Sequence, residues 1–486
     1  MAQTTKTGKA DADTPNGSGK KPAGAALKTK TRLALAAPKP KAAPAKASKP
    51  AAKPAQHPVI KLLKRLLTNG DYDAFRKAWQ SATEGRYAGL SQTSLYTLLA
   101  EADLAEGAHD RLAETAGLLI EKHGSIEGFF FLAQSDFVRG NYDDASRWLL
   151  HTLYKKPRKA DAAYLLAEIL ALTGQAESAW RTLELLLPKS RRAKTWLELA
   201  HLVHSQSDFI RMQNLWHEWQ ECHRPAHYNK DAFEYLALGA IRAGDYALAE
   251  LIWQDSLLQA ADLENGFASL KPKTHSYSSR RAELALIDLG RTLRTADIPM
   301  FLISGTLLGC VREGQLLSHD HDIDVGIWDD VHQDRFLSVI RKSGLFFFLS
   351  SRSPEIIRLR HVNGVGIDVF YHFRSESDYW HRGIKLIWHN SPFELVPTIF
   401  LGEEFLVPED HDTYLTENYG DWRTPKVDFD SAFDTPNAEV ASHDELIIHV
   451  YKMLMDARIR GSKKRVSFYL GKLRELGSGH FADALK

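Results

Sequence analysis

The chain has 486 residues and only two cysteines, Cys222 and Cys310. That count excludes a disulfide scaffold and a cysteine-ligated zinc finger. No apolar run approaches the roughly 18 residues that a membrane-spanning helix needs. The most apolar N-terminal stretch, Leu33-Ala-Leu-Ala-Ala37, is too short for the core of a secretion signal. A soluble cytoplasmic protein is therefore expected, with the inner membrane face as a possible place of work. Net charge is also nearly lacking, at +1, but the sum hides an asymmetry. Residues 1–57 hold eleven Lys and one Arg against two Asp, which leaves the rest of the chain at −9. An acidic remainder argues against a nucleic-acid-binding core and against sequence-specific nucleic acid as a partner.

Residues 1–57 have almost no aromatic or branched side chains. Such a segment cannot offset its ordering entropy by burial, so a disordered Lys/Ala/Pro-rich tail is predicted. It serves either as a solvated tail or as an electrostatic contact with an anionic membrane surface or RNA.

From 58 to 265 the sequence is periodic. Small-residue turns stand at Gly70, Gly107, Gly140, Gly174, Ser207 and Gly244, separated by 37, 33, 34, 33 and 37 residues. A Leu-Ala pair precedes most of them: Leu99-Ala100, Leu132-Ala133, Leu166-Ala167, Leu199-Ala200 and Leu236-Ala237. Ala145, Ala179 and Ala249 follow their turns by five residues. Leu beside Ala lets one helix pack closely on its partner, and Gly ends the first helix of each unit. The pattern resembles the tetratricopeptide repeat in six degenerate units. It implies an all-α solenoid, because a lone helix pair cannot bury its apolar face. The resemblance implies a concave surface that binds a protein partner; the alternative is an array that only scaffolds or dimerises the second half.

A polar break, Lys271-Pro-Lys-Thr-His-Ser-Tyr-Ser-Ser279, marks a linker over 266–280 before a mixed domain at 281–486. Residues 281–295 read as a helix. Ile298-Pro-Met-Phe-Leu-Ile-Ser-Gly-Thr-Leu-Leu-Gly309 then reads as a short strand, a Gly-Thr turn and a helix start. Backbone N–H groups at such a turn approach phosphate oxygens. Next, His319-Asp-His-Asp-Ile-Asp-Val-Gly-Ile327 alternates. In a strand, Asp320, Asp322 and Asp324 share one face and Ile323, Val325 and Ile327 the other. Aspartates on one strand face repel one another, and a hard divalent cation, Mg²⁺ or Mn²⁺, relieves that repulsion. Asp368, in Val365-Gly-Ile-Asp-Val-Phe370, supplies a third carboxylate from another strand; the alternative is a turn cap or an ion pair with Arg358 or Arg360.

Other metal motifs fail on the same letters. An EF-hand needs Gly and Glu where Val325 and Val331 stand, and a zinc hydrolase pattern needs Asp at 323 and His at 324. His319 and His321 are expected to flank the site.

Taken together, Gly305-Thr-Leu-Leu-Gly-Cys-Val-Arg-Glu-Gly314, His319–Gly326 and Ile367-Asp-Val-Phe370 resemble the LicD/fukutin-type family. Pro408-Glu-Asp-His-Asp-Thr-Tyr-Leu415 and Tyr419-Gly-Asp-Trp422 resemble its closing motif. The resemblance spans about 280–440 and implies an α+β domain of nucleotidyltransferase-like fold. It implies transfer of phosphocholine, or of an alditol or sugar phosphate, from a nucleotide-activated donor, commonly CDP-linked. The implied acceptor is a hydroxyl of a cell-surface glycan such as lipopolysaccharide, capsule or a teichoic-acid-like polymer. Residue by residue it implies Asp322, Asp324 and Asp368 as the metal and catalytic carboxylates. Gly305, Thr306 and Arg312 are implied at the donor phosphates. Tyr419, Gly420 and Trp422 are implied to pack around the site. His319 and His321 replace the family's commoner Trp and middle Asp. Asp368 either takes the acceptor proton or completes the metal site. Arg358, Arg360, Lys385 and His389 are further candidates for phosphate contact, Phe346-Phe-Phe348 reads as core, and Cys310 as a small packing residue. Two other functions fit the same letters: a true nucleotidyltransferase, and a repeat-based adaptor with an inactive transferase domain.

Overall fold

The computed structural model describes residues 57–85, 89–222, 228–272, 278–318, 320, 322–426 and 428–485. The basic tail, apart from His57, lies outside the described residues, as do His319 and His321. The array and the sheet domain belong to one compact unit.

The array has six helix pairs. They are α1 (Pro58–Asn69) with α2 (Tyr72–Glu84), α3 (Gln92–Ala105) with α4 (His109–Glu121), and α5 (Glu127–Val138) with α6 (Tyr142–Lys155). Then come α7 (Ala160–Leu172) with α8 (Ala176–Glu184), α9 (Lys194–His201) with α10 (Gln206–Cys222), and α11 (Lys230–Arg242) with α12 (Tyr246–Ala261). Five of the six turns close identically. Gly70, Gly107, Gly140, Gly174 and Gly244 take φ between 64° and 81°. The next residue's N–H then donates back five residues, as Asn141 does to Asp136 O at 2.8 Å. Only glycine enters that backbone region without strain, which explains the period.

The fifth turn departs from the expectation. Ser207 lies inside α10, and the chain turns at residues 202–205. A reciprocal cap replaces the glycine: Ser205 Oγ accepts from the Asp208 N–H at 3.2 Å, and Asp208 accepts from the His204 N–H at 3.1 Å. The alanines of the Leu-Ala pairs are all buried, as are Ala145, Ala179 and Ala249.

The sheet domain opens with α13 (Ser279–Thr295), β1 (Phe301–Leu302), α14 (Ser304–Glu313), β2 (Asp322–Trp328) and α15 (Gln333–Ser343). It continues through β3 (Phe346–Leu349), β4 (Ile356–His361), β5 (Gly366–Arg374), β6 (Tyr379–Arg382), β7 (Leu386–Asn390), β8 (Leu395–Phe400) and β9 (Glu403–Pro408). It ends with α16 (His411–Tyr419), β10 (Ala438–Val440), α17 (His443–Ile459), α18 (Lys463–Glu475) and α19 (Gly479–Ala484). Ten strands form one mixed sheet in the order β10-β7-β6-β5-β2-β1-β9-β8. Strand β4 pairs with the first half of β5, on the edge that β6 takes further along, and β3 pairs with β4. The central pair, β2 and β5, is parallel, with Asp324 opposite Asp368. Ile323, Val325, Ile367 and Val369 point the other way into the core, and this fixes the face that the aspartates take.

The triple Phe346-Phe-Phe348 packs as core, as its sequence suggests, but it serves two cores. Phe346 belongs to the sheet domain. Phe347 and Val362 belong to the core of the array, where Phe347 stacks on Phe137 at 5.8 Å between ring centres. At the other end of the interface, Tyr451 of α17 donates to Glu250 of α12 at 2.8 Å.

Candidate metal and transfer site

Strand alternation places Asp322 and Asp324 on one face of β2, and the parallel register sets Asp368 beside Asp324 on the neighbouring strand. One carboxylate oxygen from each lies within 4.8 Å of the other two. The three predicted metal ligands thus come together. Burial, and then the charges of Asp322, Asp320 and Asp368, push the Asp324 carboxyl well above its usual range. Asp368 is also raised, by burial first, against the pull of Arg358. Arg358 donates its Nε to Asp368 Oδ1 at 3.2 Å, so the ion pair and the carboxylate cluster coexist. One half-exposed arginine against three carboxylates leaves negative charge in place. The donor set, oxygen alone on adjacent strands, fits a hard divalent cation.

The helix α14 starts beside this cluster. Thr306 is buried, and its Oγ1 accepts from the Asp324 N–H at 3.0 Å. Its bond is therefore to the backbone that carries Asp322 and Asp324, and it holds that strand. Ser304, at the helix start, takes φ 48°, a conformation that non-glycine residues rarely adopt. A Cβ added at Gly305 would stand 2.0 Å from Asp320 Oδ2. The anion over Gly305 in this structure is thus the chain's own carboxylate, drawn by the positive end of the helix. Asp320 itself precedes β2 and is not on the strand face expected of it.

Arg312, expected at the donor phosphates or in a surface ion pair, makes contacts within the chain. Its guanidinium is largely covered, donating to Trp422 O at 3.1 Å and Glu313 at 2.9 Å. Those bonds tie α14 to the closing motif. Trp422 is fixed further by its Nε1 on Asp412 at 3.0 Å. Of the other basic candidates, Arg360 covers the Phe347 ring at 4.9 Å, toward the array. His389 meets Asp378 at 2.9 Å, and Lys385 is pulled down by burial among Asp430, Lys452 and Glu445. Only Arg358 reaches the carboxylates. Cys310 packs half-buried, its thiol pushed up to about 11 by burial.

Two tyrosines of α16 lie near the cluster: Tyr419, expected to pack around the site, and Tyr414, for which the sequence suggests no role. Burial, then Asp324 and Asp320, raises the Tyr419 hydroxyl. Tyr414 is also raised, by burial first and then by Glu417 and Asp324, and its hydroxyl is buried with no hydrogen-bond partner. A hydroxyl raised in this way stays a donor, and both feel the charge of the cluster.

Residues 297–401 match the family described as LicD/FKTN/FKRP, nucleotidyltransferase domain. The closing motif lies beyond that segment. The mouse and human proteins named ribitol-5-phosphate transferase FKTN are each 24% identical to this chain, over 184 and 185 residues respectively. Each match takes in 35% of this chain and 40% of the relative, so the chain spans well under half the length of these relatives. Among solved structures, a tetratricopeptide repeat protein from Parabacteroides merdae is similar at TM-score 0.30 and 14% identity, covering 49% of this chain and 88% of that one. The Pseudomonas aeruginosa protein pilF is similar at TM-score 0.31 and 16% identity, covering 43% and 91%. The repeat architecture rests on the helix pairs themselves.

Proposed function

We propose that the sheet domain is a metal-dependent transferase. It moves a phospho-substituent, phosphocholine or an alditol or sugar phosphate, from a nucleotide-activated donor to a hydroxyl of a glycan. The observation that carries this reading is the convergence of Asp322, Asp324 and Asp368 beside the start of α14. The family match over 297–401 supports the reaction class, and the relatives' name makes ribitol phosphate a concrete candidate for the group moved. A CDP-linked donor, and an acceptor such as lipopolysaccharide, capsule or a teichoic-acid-like polymer, follow from the resemblance.

The three carboxylates would hold Mg²⁺ or Mn²⁺. Such a cation supplies charge neutralisation to the donor pyrophosphate. The acceptor oxygen attacks the donor phosphorus, a new P–O bond forms, and the pyrophosphate P–O bond breaks to release nucleoside monophosphate. Asp368, held on one oxygen by Arg358, has one oxygen left, which either completes that metal site or, with Asp322 and Asp324 alone on the cation, takes the hydroxyl proton. Thr306 fixes the position of Asp324, and Arg312 and Trp422 hold the closing segment against the site. No described helix is long and apolar enough to cross a membrane. Work at the cytoplasmic membrane face, a protein partner for the repeats and an anionic surface for the basic tail remain parts of this proposal.

The test is acceptor-dependent release of CMP from CDP-ribitol and from CDP-choline by the full chain with Mg²⁺, beside Asp322→Asn. Release that depends on Asp322 is expected. Wild-type turnover in the variant would sink the reading, and nucleotide found attached to the acceptor would replace it with nucleotidyl transfer.

A further inference from the structure

A cleft of about 630 Å³ opens where the last repeat meets the sheet domain. Arg242 and Tyr246 of the α11–α12 turn form one wall. Arg352 and Glu355 of the β3–β4 loop, Arg382 at the end of β6, and Glu445 of α17 form the others. Three arginines and two glutamates therefore line the cleft, and one of the glutamates is fully engaged. Glu445 accepts both terminal nitrogens of Arg352, one at 3.0 Å, and the Tyr246 hydroxyl at 2.9 Å. Glu355 accepts from the Ser353 hydroxyl at 2.6 Å.

The other two arginines have no acidic partner among the described residues. Arg242 donates to Val203 O at 3.0 Å and Ser350 Oγ at 3.2 Å, and lies 3.5 Å from His204 Nδ1. Burial, and then the charge of Arg352, lower its pKa. The Nε of Arg382 is buried with no hydrogen-bond partner among the described residues. Such groups are costly to leave unpaired, and a guanidinium fork suits an oxyanion. The volume falls in the range of small-molecule sites and exceeds what a bare anion fills. The lining is polar, with Ser351, Ser353 and Ser442 beside the charged groups.

We propose that this cleft binds a phosphate- or carboxylate-bearing small molecule of sugar size through Arg242 and Arg382. The site is separate from the aspartate cluster. Tyr371 N–H donates to Glu355 O at the cleft, and Tyr371 lies three residues along β5 from Asp368, about 10 Å at the usual strand rise. The last repeat thus supplies one of two recognition groups, a role for the array beyond packing. The proposal does not rest on the transferase reading.

The experiment is calorimetric titration of the full chain in EDTA with glucose 6-phosphate, glucuronate and, as the uncharged control, glucose. Saturable binding of one or both anions and none of glucose is expected; the tighter of the two names the chemistry. Arg382→Gln removes no side-chain hydrogen bond found among the described residues and should weaken binding about tenfold or more, the weight of a lost charge-assisted hydrogen bond. Arg242→Gln should weaken it similarly, and Asp322→Asn should leave it unchanged. Absence of saturation in the millimolar range overturns the proposal. So does unchanged affinity in both arginine variants, or loss of binding in Asp322→Asn, which would put the anion at the cluster.

Discussion

In the array, residues that bury one another are near in sequence. The Gly140 turn brings Phe137 against Tyr142, with ring centres 5.6 Å apart. In the sheet domain, Asp324 meets Asp368 only after α15, β3 and β4 have been folded between them. Stability in the first region is a sum of similar local units, and the loss of one turn glycine is absorbed, as the fifth turn demonstrates. Function in the second depends on one register that no neighbouring unit repeats. Changes in the array should therefore read out in stability, and changes at the cluster in rate.

The largest expected effect sharpens that contrast. Asp324→Asn should cut transfer by on the order of 10³-fold, the scale of losing a group that stabilises developing charge. Its melting temperature in chelator should not fall, because one of three repelling carboxylates is gone. Turnover and thermal unfolding check both halves, and a destabilised variant would break the division between fold and site. Next, Phe347→Ala should cost about 3 kcal/mol, as for other buried aromatic truncations. It should split one calorimetric transition into two, because the side chain belongs to the array core while its strand belongs to the sheet. A single shifted transition would mean that the halves are coupled elsewhere.

A third test concerns Asp430, buried between α17 and α18. Burial raises its pKa, but hydrogen bonds from His449, Tyr469 and the Ala432 N–H outweigh it and leave the value at about 2. The folded pKa lies below the unfolded one, so the contribution is complete above about pH 4 and is lost as pH falls through 2. It amounts to about 2 kcal/mol. Acid unfolding of Asp430→Asn should lack that limb.

The smallest effects come from a matched pair of glycines. Gly174→Ala should cost about 1 kcal/mol from its positive φ and leave the rate alone, since the space beside it is open. Gly305→Ala should do the reverse, slowing transfer with little change in stability, because its methyl would displace Asp320. Equal rate losses in both would erase the distinction.

Much of this was legible beforehand, for identifiable reasons. The repeats announced themselves because a left-handed turn demands glycine at a fixed place, and the fifth unit was misread because a Ser-Asp cap does the same work without one. The carboxylate cluster was legible because aspartate is out of place on a strand face. The bond from Arg312 to Trp422 O was not, since nothing near a helix start in the sequence points to a carbonyl so far along the chain. Nor was that of Thr306, whose hydroxyl holds a backbone N–H one strand away.

By itself the sequence determined the periodic helices, the strand faces and the identity of the three carboxylates, because each follows from a backbone period of a few residues. Only the tertiary structure decided which arginine faces Asp368, that Phe347 leaves its own domain for the core of the array, and that Arg242 and Arg382 share one cleft. Those are meetings between segments far apart in the chain, set by the summed packing of both domains.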